Sequence, residues 1–322
     1  MRGEMPIAEL EFKMPADGKI WGSKYPRPSA KAKVTGTLDF GQDLELKMPA
    51  NTLRLALVQA KVPHANILSI DTSAADKMPG VFKVVTHKDV KGKNRITGLI
   101  TFATNKGDGW DRPILCDEKV FQIGDAIAIV CADTEEHARA AADKVKVELE
   151  ELPACMNAMD AMAEDAIEIH PGTPNVYFEQ KVVKGEDTKP IMEKAAFTAE
   201  DHYYIQRQPH LSVETDTGFA YFDKEGRLTI HSKSIGLYLH LLMIAPGVGL
   251  PPEKIRMVQN PAGGTFGYKF SPTMEALLGV ACMATGRPVS LTYDYTQYMQ
   301  YTGKRSPFFT DLKLAADENG KL

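Results

Sequence analysis

The most chemically suggestive stretch of this 322-residue sequence is Gly263-Gly264-Thr265-Phe266-Gly267-Tyr268-Lys269. Three glycines within five positions allow a backbone to approach a ligand closely. The run joins a predicted strand to the start of a predicted helix, where amide N–H groups without intrahelical acceptors can bind an anion or a polar oxygen. It is no phosphate loop, because no Gly-Lys-Ser/Thr closes it, and its adjacent glycines do not match the alternating dinucleotide fingerprint. On spacing alone it reads equally as a tight turn plugged by an aromatic ring. A second feature is Arg207-Gln208-Pro209-His210-Leu211-Ser212-Val213-Glu214. A buried Gln208 would have an amide to donate to an oxygen ligand, and Glu214 suits a general base or an ion-pair partner. The plainer reading, favoured by the residues alone, is a strand whose polar side chains satisfy local backbone. His202, His210, His231 and His240 fall in one region without the paired spacing of a metal site. Tyr293, Tyr295, Tyr298 and Tyr301, with Met299, predict sheet packing, and no nucleophile elbow is present.

The elements that must position these residues read as two α/β sections. In the first, strands are predicted over 53–60, 67–71, 81–86 and 126–132, with a short helix capped by Thr72 and ending before Pro79-Gly80. Thr134 caps a helix with Glu135 and Glu136 in its first turn, and a strand over 145–149 completes a βαβ-type unit, its pairing left open. Between Pro153 and Asp187 the pattern loosens into Pro-Gly and Pro-Asn dipeptides, which places a boundary there. In the second section a strand over 227–233, a helix over 235–245 and a strand over 254–259 lead into the glycine loop. A helix with Ser271 as N-cap and Pro272 at its first position follows, then a long strand over 289–301. Asp311 to Ala315 alternates as an outgoing strand before an Asn319-Gly320 turn, so an unpaired edge and the front of a longer polypeptide are expected.

Composition narrows the function. A net charge of −4 offers no basic excess for nucleic acid. The run 237–250 is shorter than the roughly 20 apolar residues that span a bilayer and holds His240, Pro246 and two glycines, so no membrane span is expected. The four cysteines, Cys116, Cys131, Cys155 and Cys282, lie too far apart for the common iron–sulfur or zinc spacings and suit a reducing compartment, so the expected location is cytoplasmic.

Taken in order, several segments resemble the molybdenum hydroxylase family of xanthine dehydrogenases and aldehyde oxidases, in particular its bacterial aldehyde oxidoreductases. Lys33-Val34-Thr35-Gly36, Pro63-His64-Ala65, Ile70-Asp71-Thr72, Pro79-Gly80-Val81 and Glu150-Glu151-Leu152-Pro153 look like that family's α/β hammerhead domain. Gln208 to Glu214, Gly263 to Lys269, and Tyr301-Thr302-Gly303-Lys304-Arg305-Ser306-Pro307 look like its molybdopterin-binding domain. The resemblance implies an α/β (α+β) chain: lead-in 1–29, hammerhead 30–155, connector 156–186, and an incomplete first part of the molybdopterin-binding domain over 187–322.

It further implies hydroxylation of an aldehyde to a carboxylic acid with water as oxygen source, on a molybdenum–molybdopterin cofactor of the cytosine dinucleotide form. Electrons would leave through iron–sulfur clusters outside this chain. By the same resemblance, Gly264, Phe266, Gly267 and Tyr268 form the cofactor loop, with the Phe266-Gly267 backbone facing an oxygen of the molybdenum. Gln208 donates to another, and Glu214 supports the substrate side of the pocket. No side chain here would bind the metal directly, and the family's catalytic base would lie beyond Leu322. Thr265 and Tyr268, where many members have glycine, would narrow the site against purines. Implied partners are an iron–sulfur domain or subunit, the remainder of the cofactor domain, and a second copy in a homodimer. The isolated chain would turn over little substrate. A non-catalytic scaffold or assembly subunit is the alternative.

Overall fold

The computed structural model describes residues 27–97, 112–176 and 178–322, so most of the expected lead-in lies outside the described residues. Its organising element is a seven-stranded sheet. The strands are β1 (Leu53–Gln59), β3 (Val81–Thr86), β4 (Ala126–Ala132), β7 (Thr217–Phe222), β8 (Leu228–Ser232), β9 (Ile255–Gln259) and β10 (Val289–Thr292). Between and beyond them run β2 (Ala65–Asp71), β5 (Lys146–Glu151), β6 (Phe197–Ile205) and β11 (Phe308–Ala316). The sheet order is β9-β8-β7-β10-β1-β4-β3. Strands from both halves of the sequence therefore share one sheet, joined where β1 runs parallel to β10 with Leu53 opposite Val289.

The sequence of β1 shows why it can sit at the centre. Its side chains alternate between faces. Leu53, Leu55 and Leu57 enter the larger core, while Ala56 and Val58 enter a second core with Ala138 and Ala141. Those alanines belong to α1 (Glu135–Ala142), whose Thr134 cap accepts from the His137 N–H at 3.1 Å, as predicted. The other face is covered by α2 (Leu237–Val248) and α3 (Thr273–Thr285). Every residue of α3 from Thr273 to Cys282 is buried, consistent with a helix apolar on all sides. It ends at Gly286, whose φ of 65° is the left-handed stop glycine permits.

Pro246 lies inside α2 and cannot donate an amide hydrogen. The surrounding carbonyls are used instead by the 93–97 segment: Met243, Pro246 and Gly247 accept from Thr97, Lys93 and Asn94. Close approach requires glycine, since a Cβ on Gly247 would lie 2.1 Å from the Arg95 carbonyl oxygen.

Several expectations need correction. The strand predicted over 289–301 stops at Thr292, and α4 (Tyr295–Tyr301) follows. Asp294 accepts from the Gln297 N–H at 2.8 Å and Gln297 Oε1 accepts from the Asp294 N–H, a capping box that starts a helix. Tyr298 and Tyr301, three apart, are then buried on one helical face instead of packing a sheet. The predicted βαβ unit is divided: β4 belongs to the main sheet, whereas β5 pairs antiparallel with β2 in a three-stranded sheet completed by Lys119–Val120. Val147 and Leu149 of β5 pack against the small core around Ala65 and Val120. Residues 72–80 form turns, with the Thr72 hydroxyl donating to Asp76 instead of capping a helix. The N-cap of α3 is Pro272, one residue later than predicted. The outgoing strand is not alone: β11 pairs antiparallel with β6 over nine residues, from Phe308 opposite Ile205 to Ala316 opposite Phe197. The turn beyond it forms around Asp317, whose Oδ1 accepts from the Asn319 and Lys321 amides.

Replacing Gly247 with alanine forces the 92–97 segment off α2, and overpacking of this kind costs about 1–3 kcal/mol. A lowered thermal midpoint checks this, and an unchanged midpoint would refute the close-packing account.

Candidate functional site

The glycine loop leaves β9 at Gln259 and reaches α3 through one 3-10 turn, Tyr268–Phe270. Three of its residues hold positive φ: Gly264 (108°), Phe266 (47°) and Gly267 (84°). For phenylalanine that conformation is costly and must be imposed by its surroundings. Tyr268 N–H donates to the Thr265 carbonyl at 3.0 Å, and Lys269 N–H to the Thr265 hydroxyl at 3.1 Å. The four amides from Gly264 to Gly267 have no partner among the described residues. Phe266 is 77% exposed at the apex.

The segment 207–214 lies against this loop, so the two features singled out by their chemistry are brought together. Glu214 is the joint. Its Oε2 accepts from the Gly263 amide at 2.6 Å and from Lys269 Nζ at 2.7 Å. Its Oε1 accepts from the Gly41 amide at 3.3 Å. The Lys269 side chain is fully buried. Of the two roles read for Glu214, this is the geometry of an ion-pair partner. Gly263 must lack a side chain because its Cβ would stand 2.7 Å from that of Glu214. Ser212 packs beneath Gly264, and Leu211 holds a strained φ of 44° while its side chain is exposed.

Gln208 forms one antiparallel bridge, its amide donating to the Arg305 carbonyl at 3.3 Å and its carbonyl accepting from the Arg305 amide at 2.9 Å. Its side chain is exposed and has no partner among the described residues, contrary to the buried amide expected. The strand expected for 207–214 is reduced to this bridge, because Pro209 and the left-handed Leu211 interrupt any ladder.

Tyr268 also departs from expectation. Its side chain points into the protein instead of narrowing the outer face of the loop. The hydroxyl donates to Asp216 Oδ2 at 2.8 Å, and the ring stacks on His210 with centroids 4.4 Å apart. Burial and the neighbouring Asp216 carboxylate push its pKa well above that of an ordinary tyrosine. Nε2 of His210 lies 2.8 Å from the Thr302 hydroxyl, whose own proton goes to the Tyr298 carbonyl, so Nε2 carries the imidazole proton. Burial, reinforced by Lys304, Lys269 and Lys233, lowers His210 to about 4.

Sequence reading missed Asp216 and Lys233, which adjoin Tyr268 in the interior, and Glu275, which faces Lys233. The available signal was the placement of charged residues inside otherwise apolar runs, such as Glu275 within Met274–Cys282.

Two family profiles match nearly the whole chain in sequence. "Aldehyde oxidase and xanthine dehydrogenase, a/b hammerhead domain" covers residues 35–153, and "Molybdopterin cofactor-binding domain" covers residues 169–322. The chain belongs to the aldehyde oxidase and xanthine dehydrogenase family of molybdenum hydroxylases. Among its relatives is the aldehyde oxidoreductase of Megalodesulfovibrio gigas, 70% identical over all 322 residues, which make up 36% of that protein. A probable xanthine dehydrogenase subunit of Bacillus subtilis is 33% identical over 92% of this chain and 38% of its own length. The solved structure of the aldehyde oxidoreductase from Desulfovibrio gigas superimposes with a TM-score of 0.91, covering 98% of this chain and 35% of that one. The chain thus spans little more than a third of these relatives.

His210 titrates near 6.5 when unfolded and about 4 in the fold, so the unfolded chain binds more protons between these values. The His210 contribution is complete above pH 6.5 and is lost as pH falls toward 4. Thermal midpoints measured across that interval should slope less in His210→Gln than in the parent protein. Equal slopes would show that His210 is not held neutral.

Proposed function

We propose that this chain provides the oxygen-facing cradle of a molybdopterin centre in an aldehyde oxidoreductase. The observation that carries the reading is the run of four amides from Gly264 to Gly267, unpartnered among the described residues, three of them in left-handed backbone, beside the Glu214–Lys269 ion pair. Peptide donors fixed before the reaction suit an oxygen whose negative charge grows during turnover, because they need no reorganisation. The exposed, unpartnered Gln208 amide supplies a further donor. When bound, the molybdopterin group supplies the two-electron oxidation that converts an aldehyde to a carboxylic acid, with water as the oxygen source.

The chain's own residues bind and orient. Gly264, Phe266 and Gly267 present amides, while Phe266 projects an aromatic ring where an apolar substrate would arrive. Tyr268 anchors the loop from behind through Asp216 and His210. Glu214 is a positioning residue: its carboxylate fixes Gly263 and Lys269, and through them the amides between. The cytosine dinucleotide form of the cofactor, iron–sulfur clusters on another domain or subunit, homodimer formation and a cytoplasmic location all belong to this reading. Among the described residues no helix is long and apolar enough to cross a membrane.

The relatives' greater length supports assembly with further polypeptide. The β6–β11 ribbon suits such a partner, since Phe197, Tyr204, Ile205, Phe308, Phe309 and Leu314 are each at least 43% exposed.

In the complete, cofactor-loaded assembly, Gln208→Ala should lower kcat for aldehydes about 10²-fold, the cost typical of removing one such donor. Molybdenum content should stay at the parent level. Gly267→Val forces a β-branched residue into φ 84° and should lower kcat more. Full activity in both variants would overturn the cradle. Loss of the carboxylate in Glu214→Gln leaves the Lys269 ammonium buried without its counter-charge, and breaking a buried pair costs about 3–5 kcal/mol. Denaturant unfolding measures that loss.

A further inference from the structure

Behind the glycine loop, two buried ammonium groups face three carboxyl groups, of which Glu214 is partly exposed and the other two are enclosed. Lys269 is committed to Glu214 at 2.7 Å. Lys233, 3% exposed, stands 3.7 Å from both Asp216 Oδ2 and Glu275 Oε2 and donates to the Ser271 carbonyl. Asp216 and Glu275 are both fully buried. Two acids therefore share one ammonium.

The second ammonium, Lys269, acts on Asp216 as well but is already paired with Glu214. The Arg112 guanidinium is taken up elsewhere, donating to Asp125 at 2.9 Å and to the Tyr301 carbonyl. His240 Nδ1 is bonded to the Ser234 hydroxyl at 2.6 Å, and burial lowers its pKa, keeping it neutral. The remaining titratable groups that couple to the pair are Tyr268, Tyr293, Tyr298 and Tyr301, neutral phenols held there by burial. Among the described residues, neither oxygen of Glu275, nor Asp216 Oδ1, has a hydrogen-bond partner, and the hydroxyl of buried Tyr293 is likewise unpartnered. An uncompensated buried charge is among the most expensive arrangements in a fold, and such groups neutralise instead.

We propose that Asp216 and Glu275 hold one proton between them at neutral pH, forming a proton-binding site joined to the glycine loop through the Tyr268 hydroxyl. The proton belongs to the pair, as for any two strongly coupled acids. With it in place, charges balance: Glu214 with Lys269, and one carboxylate with Lys233. Burial acts in the same direction, raising Asp216. The proposal does not depend on the cofactor assignment. If that assignment holds, the site puts a mobile positive charge one residue behind the amides that meet the centre.

Infrared spectra of the intact protein in H2O and D2O at pH 7 test this. A carbonyl band of a protonated carboxylic acid should be present and shift in D2O. It should disappear in Asp216→Asn and in Glu275→Gln, each of which leaves one acid to pair with Lys233. In Tyr268→Phe it should persist at a shifted frequency, because the hydrogen bond to Asp216 is gone. Should either acid variant fail to fold, carboxyl-carbon NMR of the parent protein counts protonated side chains at the same pH and should find one in this region. Absence of any protonated carboxyl, a band that survives both substitutions, or a stoichiometric sodium or potassium ion retained with both acids ionised would each overturn the proposal.

Discussion

The contact between Glu214 and Lys269 sets the conditions for the rest of the site. A loop carrying three positive φ angles in four residues, one of them at phenylalanine, is not a conformation a chain adopts unaided. Lys269 is drawn entirely out of water at one end of the loop, and Gly263 is pulled in at the other, by the same carboxylate oxygen. The pair is short and buried on the lysine side, so its two ends cannot separate without exposing an uncompensated ammonium. Between the two anchor points lie the four amides from Gly264 to Gly267, which have no partner among the described residues. The stability of the clamp thus maintains a row of free donors at the surface, as expected where backbone N–H groups serve a ligand.

Further anchors work at right angles to the first. Tyr268 passes through the loop into the interior, where His210 stacks on its ring and Asp216 receives its hydroxyl. The bulk of the tyrosine therefore acts inward. The outer face of the loop is thus shaped by Phe266 and not by the tyrosine. The segment 207–214 is held to the opposite side by Arg305 and by Thr302. Three sequence regions separated by scores of residues therefore converge on one short loop.

Much of this was legible in the sequence, for identifiable reasons. The strand at 126–132 announces itself because burial on both faces demands unbroken apolar residues, while those at 53–59 and 81–86 show as mostly apolar runs. The Thr134 cap is a local signal, and local signals read well. The loop and the 207–214 segment stood out by residue type. What failed was of two kinds. Tyr295 to Tyr301 alternates enough to resemble a strand, and only the Asp294–Gln297 capping box shows otherwise. The remaining errors involve distance along the chain: the partner of β11 lies about a hundred residues earlier, β4 and β5 go to different sheets, and the inward turn of Tyr268 depends on Asp216, 52 residues away. No window of sequence contains those facts.

The shared sheet has a practical meaning. The two family profiles meet in the loose segment between Pro153 and Ile169, which makes it the natural place to divide the gene. Cutting there would part β1 from β10 in the middle of a continuous ladder. Each product would carry a raw central strand with unsatisfied amides and carbonyls along a nonpolar rim, a surface that seeks any other strand. Units defined by recurrence across a family need not be units that fold alone, and here one hydrogen-bonded seam makes them a single cooperative body.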